Sequence, residues 1–354
     1  MGAAGLKRYV WRGLAEAYHR SGVSRARHKG TVAILTYHRV LSAQDLDANV
    51  VQPGMYVRDD VFLMHMEYVR ERFEVLSLLE LLDRWRAGRW DAKTASCVIT
   101  FDDGWLDNYQ HAYPILRHYN LPATIFLPTD FIGTSRWFWP ERLGYLLRAA
   151  DAPSRAPERR EAFYQALVGV LQAERRERTS SWGAAAGSDS YDHIIEACKE
   201  LDAGLLDRLL AALSDILAVK VPETRVLANW DEIREMSQHG ISFGSHSCSH
   251  RLMTHLPEKE IRREARLSYE KLRENRVNMI PVFCYPNGNY NDLVQQVVRE
   301  AGYQAAASCD AGLEGEAPAN MLALRRISMH HDISNSAALF ALALSGLRGR
   351  LAAG

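Results

Sequence analysis

The chain has 354 residues, 47% of them hydrophobic and 24% charged, and its 43 basic residues balance 43 acidic ones to a formal net charge of zero. That is an ordinary globular composition, long enough for a large barrel or two smaller domains, and without a basic stripe it argues against nucleic acid as a partner. The five cysteines, Cys97, Cys198, Cys248, Cys284 and Cys309, are odd in number and include no CxxC pair, which argues against a disulfide framework and for reduced thiols.

Residues 1–30 are basic, aromatic and patterned for a helix, and Arg and His interrupt any apolar core of signal-peptide length. A cytoplasmic location is expected. The segment suits either peripheral contact with a membrane surface or simple packing on the domain behind it. From 31 to 335 short apolar runs alternate with amphipathic stretches. The first run is Val32–Val40; helices follow over Asp59–Phe73 and Leu76–Gly88, with apolar residues at i, i+3 and i+4 spacing. Cys97–Asp103 and Ala123–Thr129 are the next two strands. Residues 135–228 then contain no convincing strand. Arg136–Ala150 and Arg159–Arg178 have helical patterns and Ser180–Ser190 a loop composition, so this stretch is expected to be a helical insertion. Its aromatic entrance, Trp137-Phe138-Trp139, suits either a groove lining or an anchor. Strands resume at Ile241–Ser247, Met279–Pro286, Tyr303–Ser308 and Leu322–Met329, with a charge-laced helix over Pro257–Arg276. A C-terminal helix is expected within 336–354; its apolar run, Ala337–Leu347, is about half the roughly 20 residues that span a bilayer. Seven near-continuously apolar runs alternating with helices predict an α/β fold with a buried parallel sheet or barrel.

Three motifs fall where such strands end, which is where a parallel barrel gathers its catalytic groups. Thr100-Phe101-Asp102-Asp103-Gly104 places two carboxylates side by side, an arrangement that is costly to bury unless a cation neutralises one of them. An exposed Asp-Asp-Gly turn is the bland alternative. Gly244-Ser245-His246-Ser247-Cys248-Ser249-His250 offers two imidazoles four residues apart, a spacing that converges on one ion. Cys248 lies between them as a weaker third ligand. Phe283-Cys284-Tyr285-Pro286-Asn287-Gly288 carries a Pro and a Gly that shape a turn able to aim a backbone N–H at an oxyanion.

In this order TFDDG, HxxxH and FxYPxG resemble the polysaccharide deacetylases of carbohydrate esterase family four, over about Val32 to Met329. The resemblance implies a distorted seven-stranded (β/α) barrel and a hydrolase of carbon–nitrogen, non-peptide bonds. It would remove acetyl groups from an N-acetylated glycan with a divalent metal, zinc first among the candidates. It implies Asp102 as catalytic base, Asp103, His246 and His250 as metal ligands, Ser247 as the hydroxyl that steadies the histidine loop, and Asn287 as the oxyanion N–H donor.

The chain departs from the family's best-known pattern in three places. Cys284 stands where an Arg pairs with the base, no Asp–Trp motif is present, and LRRISMHHD matches the expected Leu-His poorly. The exopolysaccharide-associated subgroup resolves two of these. Its early Tyr-His strand matches Tyr37-His38 and implies His38, ahead of His330, as general acid. Its late Arg-Ile matches Arg326-Ile327 and implies Arg326 as the partner of the base. The rival readings are an amidohydrolase acting on a non-sugar C–N bond, a carbohydrate-binding pseudoenzyme, and a barrel glycosidase using Asp102 with another carboxylate.

Overall fold

The computed structural model describes residues 3–21, 23–48, 51–177 and 191–346. The chain divides into two compact units, one of Met1–Ser42, Gly54–Thr134 and Arg225–Gly354, the other of Ala43–Pro53 and Ser135–Thr224.

The first unit is a parallel barrel. Its strands are β1 (Thr31–Tyr37), β2 (Arg39–Leu41), β3 (Tyr56–Arg58), β4 (Glu74–Leu76), β5 (Ala95–Phe101), β6 (Ala123–Leu127), β7 (Ile241–Ser245), β8 (Met279–Cys284), β9 (Ala305–Ala311) and β10 (Leu324–Ser328). Seven of them, β1, β5, β6, β7, β8, β9 and β10, pair in that order, and β10 returns to β1 to close the ring. The ring is distorted at β5. One edge of β5 carries β1 along its whole length, whereas the other is shared between β4, at Ser96–Val98, and β6, at Thr100–Phe101. Each ring strand corresponds to one of the apolar runs in the sequence, because a strand covered on both faces has no polar alternation to keep. The run Val32–Val40 is an exception to continuity: the ladder breaks at His38, and Arg39–Leu41 pairs instead with Tyr56–Arg58.

The barrel interior is narrow. An added Cβ at Gly244 would stand 2.6 Å from the Phe126 ring and 2.7 Å from the Val282 carbonyl, so β7 admits only glycine there. Ala305, Ala307 and Val282 fill the same interior with small side chains. The register sets the level of the site. Tyr37 lies beside Phe101, Leu127 beside Ser245 and Ser245 beside Phe283, so the residues that follow these strand ends emerge together on one rim.

Helix Ala3–Arg20 presents Trp11, Ala15 and Tyr18 to Ala338, Leu339 and Leu342 of helix Ala337–Leu344. Among the described residues no helix is long and apolar enough to cross a membrane. The second unit is helical, with Leu143, Leu147, Phe163, Leu210 and Leu213 in a common core. Trp137 donates its indole N–H to the Thr224 carbonyl (2.8 Å) and meets Tyr145 edge-on, tying the two ends of the unit together. The segment 43–53 joins this unit: Arg148 donates to the Asp47 carbonyl and Gln52 to Glu196.

His65 is fully buried beneath the barrel rim, stacked on Phe340 at 3.9 Å, with Nε2 donating to the Ser334 carbonyl (2.7 Å) and Nδ1 accepting from the Tyr37 hydroxyl (3.2 Å). Burial pulls its pKa down from 6.5 to about 3. The unfolded chain therefore binds this proton more readily than the fold. Stability is complete above about pH 6.5 and is lost as pH falls toward 3, with about 2 kcal/mol gone by pH 5. Burial lowers His28 to about 4, with the same sign. Denaturant unfolding between pH 7.5 and 5 is expected to show this slope, and His65→Met is expected to flatten it while lowering stability at neutral pH.

Candidate active site

Asp102 follows β5 directly, with its N–H bonded to the Tyr37 carbonyl (2.9 Å). The next residue turns sharply. Asp103 has φ 73° and Gly104 φ 68°, and a Cβ on Gly104 would stand 2.6 Å from the Leu127 side chain. The turn aims the two carboxylates at different partners.

Asp103 is buried, and its Oδ2 accepts the Trp105 indole N–H (3.0 Å). Its Oδ1 is buried without a hydrogen bond of acceptable geometry, yet lies 3.1 Å from His250 Nε2 and 3.4 Å from His246 Nε2. His246 Nδ1 bonds the Cys284 carbonyl (2.8 Å), so the ring proton sits there and Nε2 turns a lone pair toward Asp103. Burial raises the Asp103 pKa, but the neighbouring imidazoles outweigh it and hold this carboxyl well below the usual carboxylate range. A carboxylate oxygen and two imidazole nitrogens thus converge on one point, a donor set that fits a divalent ion. Cys248 is not part of it: its Sγ faces the Glu264 carbonyl at 3.4 Å.

Asp102 belongs to a second network. Arg326 holds it bidentately, Nη1 to Oδ1 (2.7 Å) and Nη2 to Oδ2 (2.8 Å), with both side chains buried. The remaining donors of Arg326 reach Thr36 Oγ1, Thr100 Oγ1, the Ser308 carbonyl and Cys284 Sγ. Burial alone would raise the Asp102 pKa; the charge and hydrogen bonds of Arg326 win and hold it at about 2. His38, partly exposed at the break after β1, brings Nε2 to 4.0 Å from Asp102 Oδ2. His330 instead pairs with Asp332 at 3.9 Å. The third motif places Asn287 on the surface of the turn after β8 with φ 57°. Asp103, Ser247, His250 and Asn287 all hold positive φ, so left-handed strain in non-glycine residues gathers at this rim.

The histidine loop is fastened from behind. Ser247 Oγ accepts from His250 N (3.0 Å). Glu264, buried on helix Glu258–Glu274, accepts from the N–H groups of Cys248 (2.8 Å) and Ser249 (2.9 Å) and from the Ser249 hydroxyl (2.8 Å). The sequence reading passed over Glu264 as one charge among many. Its signal was position: it shares the inward stripe with Ile261, Ala265, Ser268 and Leu272.

Comparison with known proteins follows the same outline. YxkH of Bacillus subtilis (strain 168), provisionally named a polysaccharide deacetylase, is 24% identical over 243 residues, covering 68% of this chain and 54% of that protein. The chain therefore spans about half the length of this curated relative. The Streptococcus pyogenes deacetylase PplD, solved in complex with acetate, superposes with a TM-score of 0.53 at 19% identity over 86% of this chain and 94% of that one. IcaB from Ammonifex degensii gives 0.53 at 16% identity over 88% and 97%. At such identities these two structures speak for the fold alone. The family model described as polysaccharide deacetylase matches residues 90–197 and 218–306. Those segments make up more than half of the chain and hold Asp102, Asp103, His246, His250 and Asn287, while His38 and Arg326 lie outside them. With the barrel, the order of the three motifs and this match in agreement, the chain belongs to the polysaccharide deacetylase family.

Proposed function

We propose that the chain is a metal-dependent deacetylase that hydrolyses N-acetyl groups of amino sugars in a polysaccharide or lipid-linked glycan, releasing acetate and a free amine. One observation carries this reading: Asp103, His246 and His250 converge on a single point beside a second carboxylate, Asp102, that Arg326 holds ionised. The first three would hold the cation, and two imidazoles with one carboxylate suit zinc. Such a cation, when bound, polarises an acetyl carbonyl and acidifies a water. Asp102 accepts the proton of the attacking water. Asn287 supplies a backbone N–H from the rim toward the carbonyl oxygen as it gains negative charge. His38, close to Asp102 and open to solvent on one side, delivers a proton to the departing amine nitrogen. Water is thereby added across the C–N bond: its oxygen and one proton leave on acetic acid, its other proton passes to Asp102, and the proton that His38 gives the amine is restored from Asp102 through solvent.

The test compares the metal content of wild type and His246→Ala by elemental analysis, alongside acetate release from an N-acetylglucosamine oligomer. About one divalent ion per chain is expected, lost together with acetate release in the variant. A wild-type protein that takes up no ion even after reloading would overturn the proposal in favour of a glycan-binding pseudoenzyme.

A further inference from the structure

We propose that Asn108, supported by Asp107, is a positioning residue for the general acid: it sets the place of His38 by gripping the backbone on which that side chain stands. The inference rests on the reading of His38 as the acid. The barrel ladder stops at Tyr37 and a different pairing begins at Arg39, so His38 occupies a break between β1 and β2. Three bonds span that break. The Asp102 N–H takes the Tyr37 carbonyl, Asn108 Nδ2 takes the His38 carbonyl at 2.8 Å, and Asp107 Oδ1 takes the Val40 N–H at 2.9 Å. Asp107 Oδ2 also accepts from Arg39 Nε at 2.9 Å. Asp107 and Asn108 stand four and five residues beyond Asp103, so one short segment fixes the acid's backbone just after the base and a metal-ligand candidate have been placed.

Asn108 gives up a hydrogen bond to do this. It is 1% exposed, and with Nδ2 committed to His38 and Asp107 its Oδ1 is buried without a donor. A buried acceptor left unpaired is a liability for stability. It is kept where the orientation that creates it serves something else, and here the amide must point its N–H₂ at the His38 carbonyl. Asn108 also opens a π-helical turn, Asn108–Ala112, a local widening of the helix that brings the amide to the break. The Arg39 guanidinium lies 4.6 Å over the ring of Trp105, whose indole N–H binds Asp103, so the clamp abuts the candidate metal site as well.

The test uses two substrates that differ in their need for an acid. An N-acetylglucosamine oligomer has a leaving amine that must be protonated; 4-nitrophenyl acetate has a leaving group that departs as an anion. Asn108→Ala is expected to lower kcat on the oligomer on the order of tenfold, with KM within about twofold and the ratio of amide to ester turnover falling in the same direction as for His38→Ala. Metal content and Tm should stay near wild type, since the variant removes an unpaired acceptor along with the bond. Asn108→Ser, which keeps a shorter donor, should recover part of the ratio and serves if the alanine variant does not fold. An Asn108→Ala protein whose amide and ester turnover fall equally, or do not fall, would overturn the clamp while a selective amide defect in His38→Ala leaves the acid standing. Should His38→Ala itself show no selective amide defect, both assignments fall together.

Discussion

Replacing Asp102 by Asn is expected to lower kcat for acetate release by about 10²–10⁴-fold while the metal content stays at the wild-type level. Asn keeps the shape and still offers one oxygen to Arg326, but it cannot take a proton from water. The three groups that would hold the ion, Asp103, His246 and His250, are untouched by the change. A base held at about 2 is ionised throughout the neutral range, and also weak. In the proposed role it would work only on a water acidified by a bound cation, which fits its place one residue from a metal-ligand candidate. The measurement is kcat and elemental analysis on the same preparation. If the ion disappears together with activity, the roles of Asp102 and Asp103 have been interchanged.

The ring strands could be read in the sequence because each is an apolar run covered on both faces, and the motifs could be placed because each follows such a run. The short strands Arg39–Leu41, Tyr56–Arg58 and Glu74–Leu76 could not: three residues carry no periodicity, and their pairing depends on neighbours far along the chain. The break at His38 was hidden for the same reason, since Arg39 and Val40 continue the β-forming pattern while their hydrogen bonds go elsewhere. Cys284 departs from the family's arginine, and the subgroup's Arg-Ile match implies Arg326 in its place. In the fold the Cys284 carbonyl orients His246, its thiol faces Asp102 at 3.6 Å, and the guanidinium arrives from Arg326 on β10, two strands along the ring. Only the subgroup's motif could point to such a replacement; the spacing of residues 284 and 326 could not, because they become equivalent only once the barrel closes. Glu264 and Asn108 escaped for a related reason: each acts on the backbone of a loop, and although the helical stripe marks Glu264 as inward-facing, no side-chain pattern names the backbone that either one binds.

Arg326→Met should destabilise the fold by about 3–5 kcal/mol and abolish most of the turnover at neutral pH. Methionine matches the apolar stem but removes every donor of a guanidinium that is completely buried and bonded to two carboxylate oxygens, two hydroxyls, a carbonyl and a thiol. Asp102 is left with its burial and without its cation, so its pKa moves up rather than down. The sign of the pH dependence follows. In the variant the folded-state pKa lies above the unfolded value of about 3.9, so folding holds a proton that the unfolded chain releases, and the stability gap to wild type widens as pH rises through that window. Arg326→Lys should rescue little, since one ammonium cannot bridge both oxygens of Asp102 and also reach Ser308 and Thr36. The decisive comparison is the double variant Asp102→Asn/Arg326→Met. If the cost arises from an unpaired buried charge, removing the second charge recovers part of the lost stability, and the coupling in a double-mutant cycle exceeds about 1 kcal/mol. Additive losses would mean that solvent reaches Asp102 without Arg326, and that the arginine serves to aim the carboxylate more than to keep it ionised.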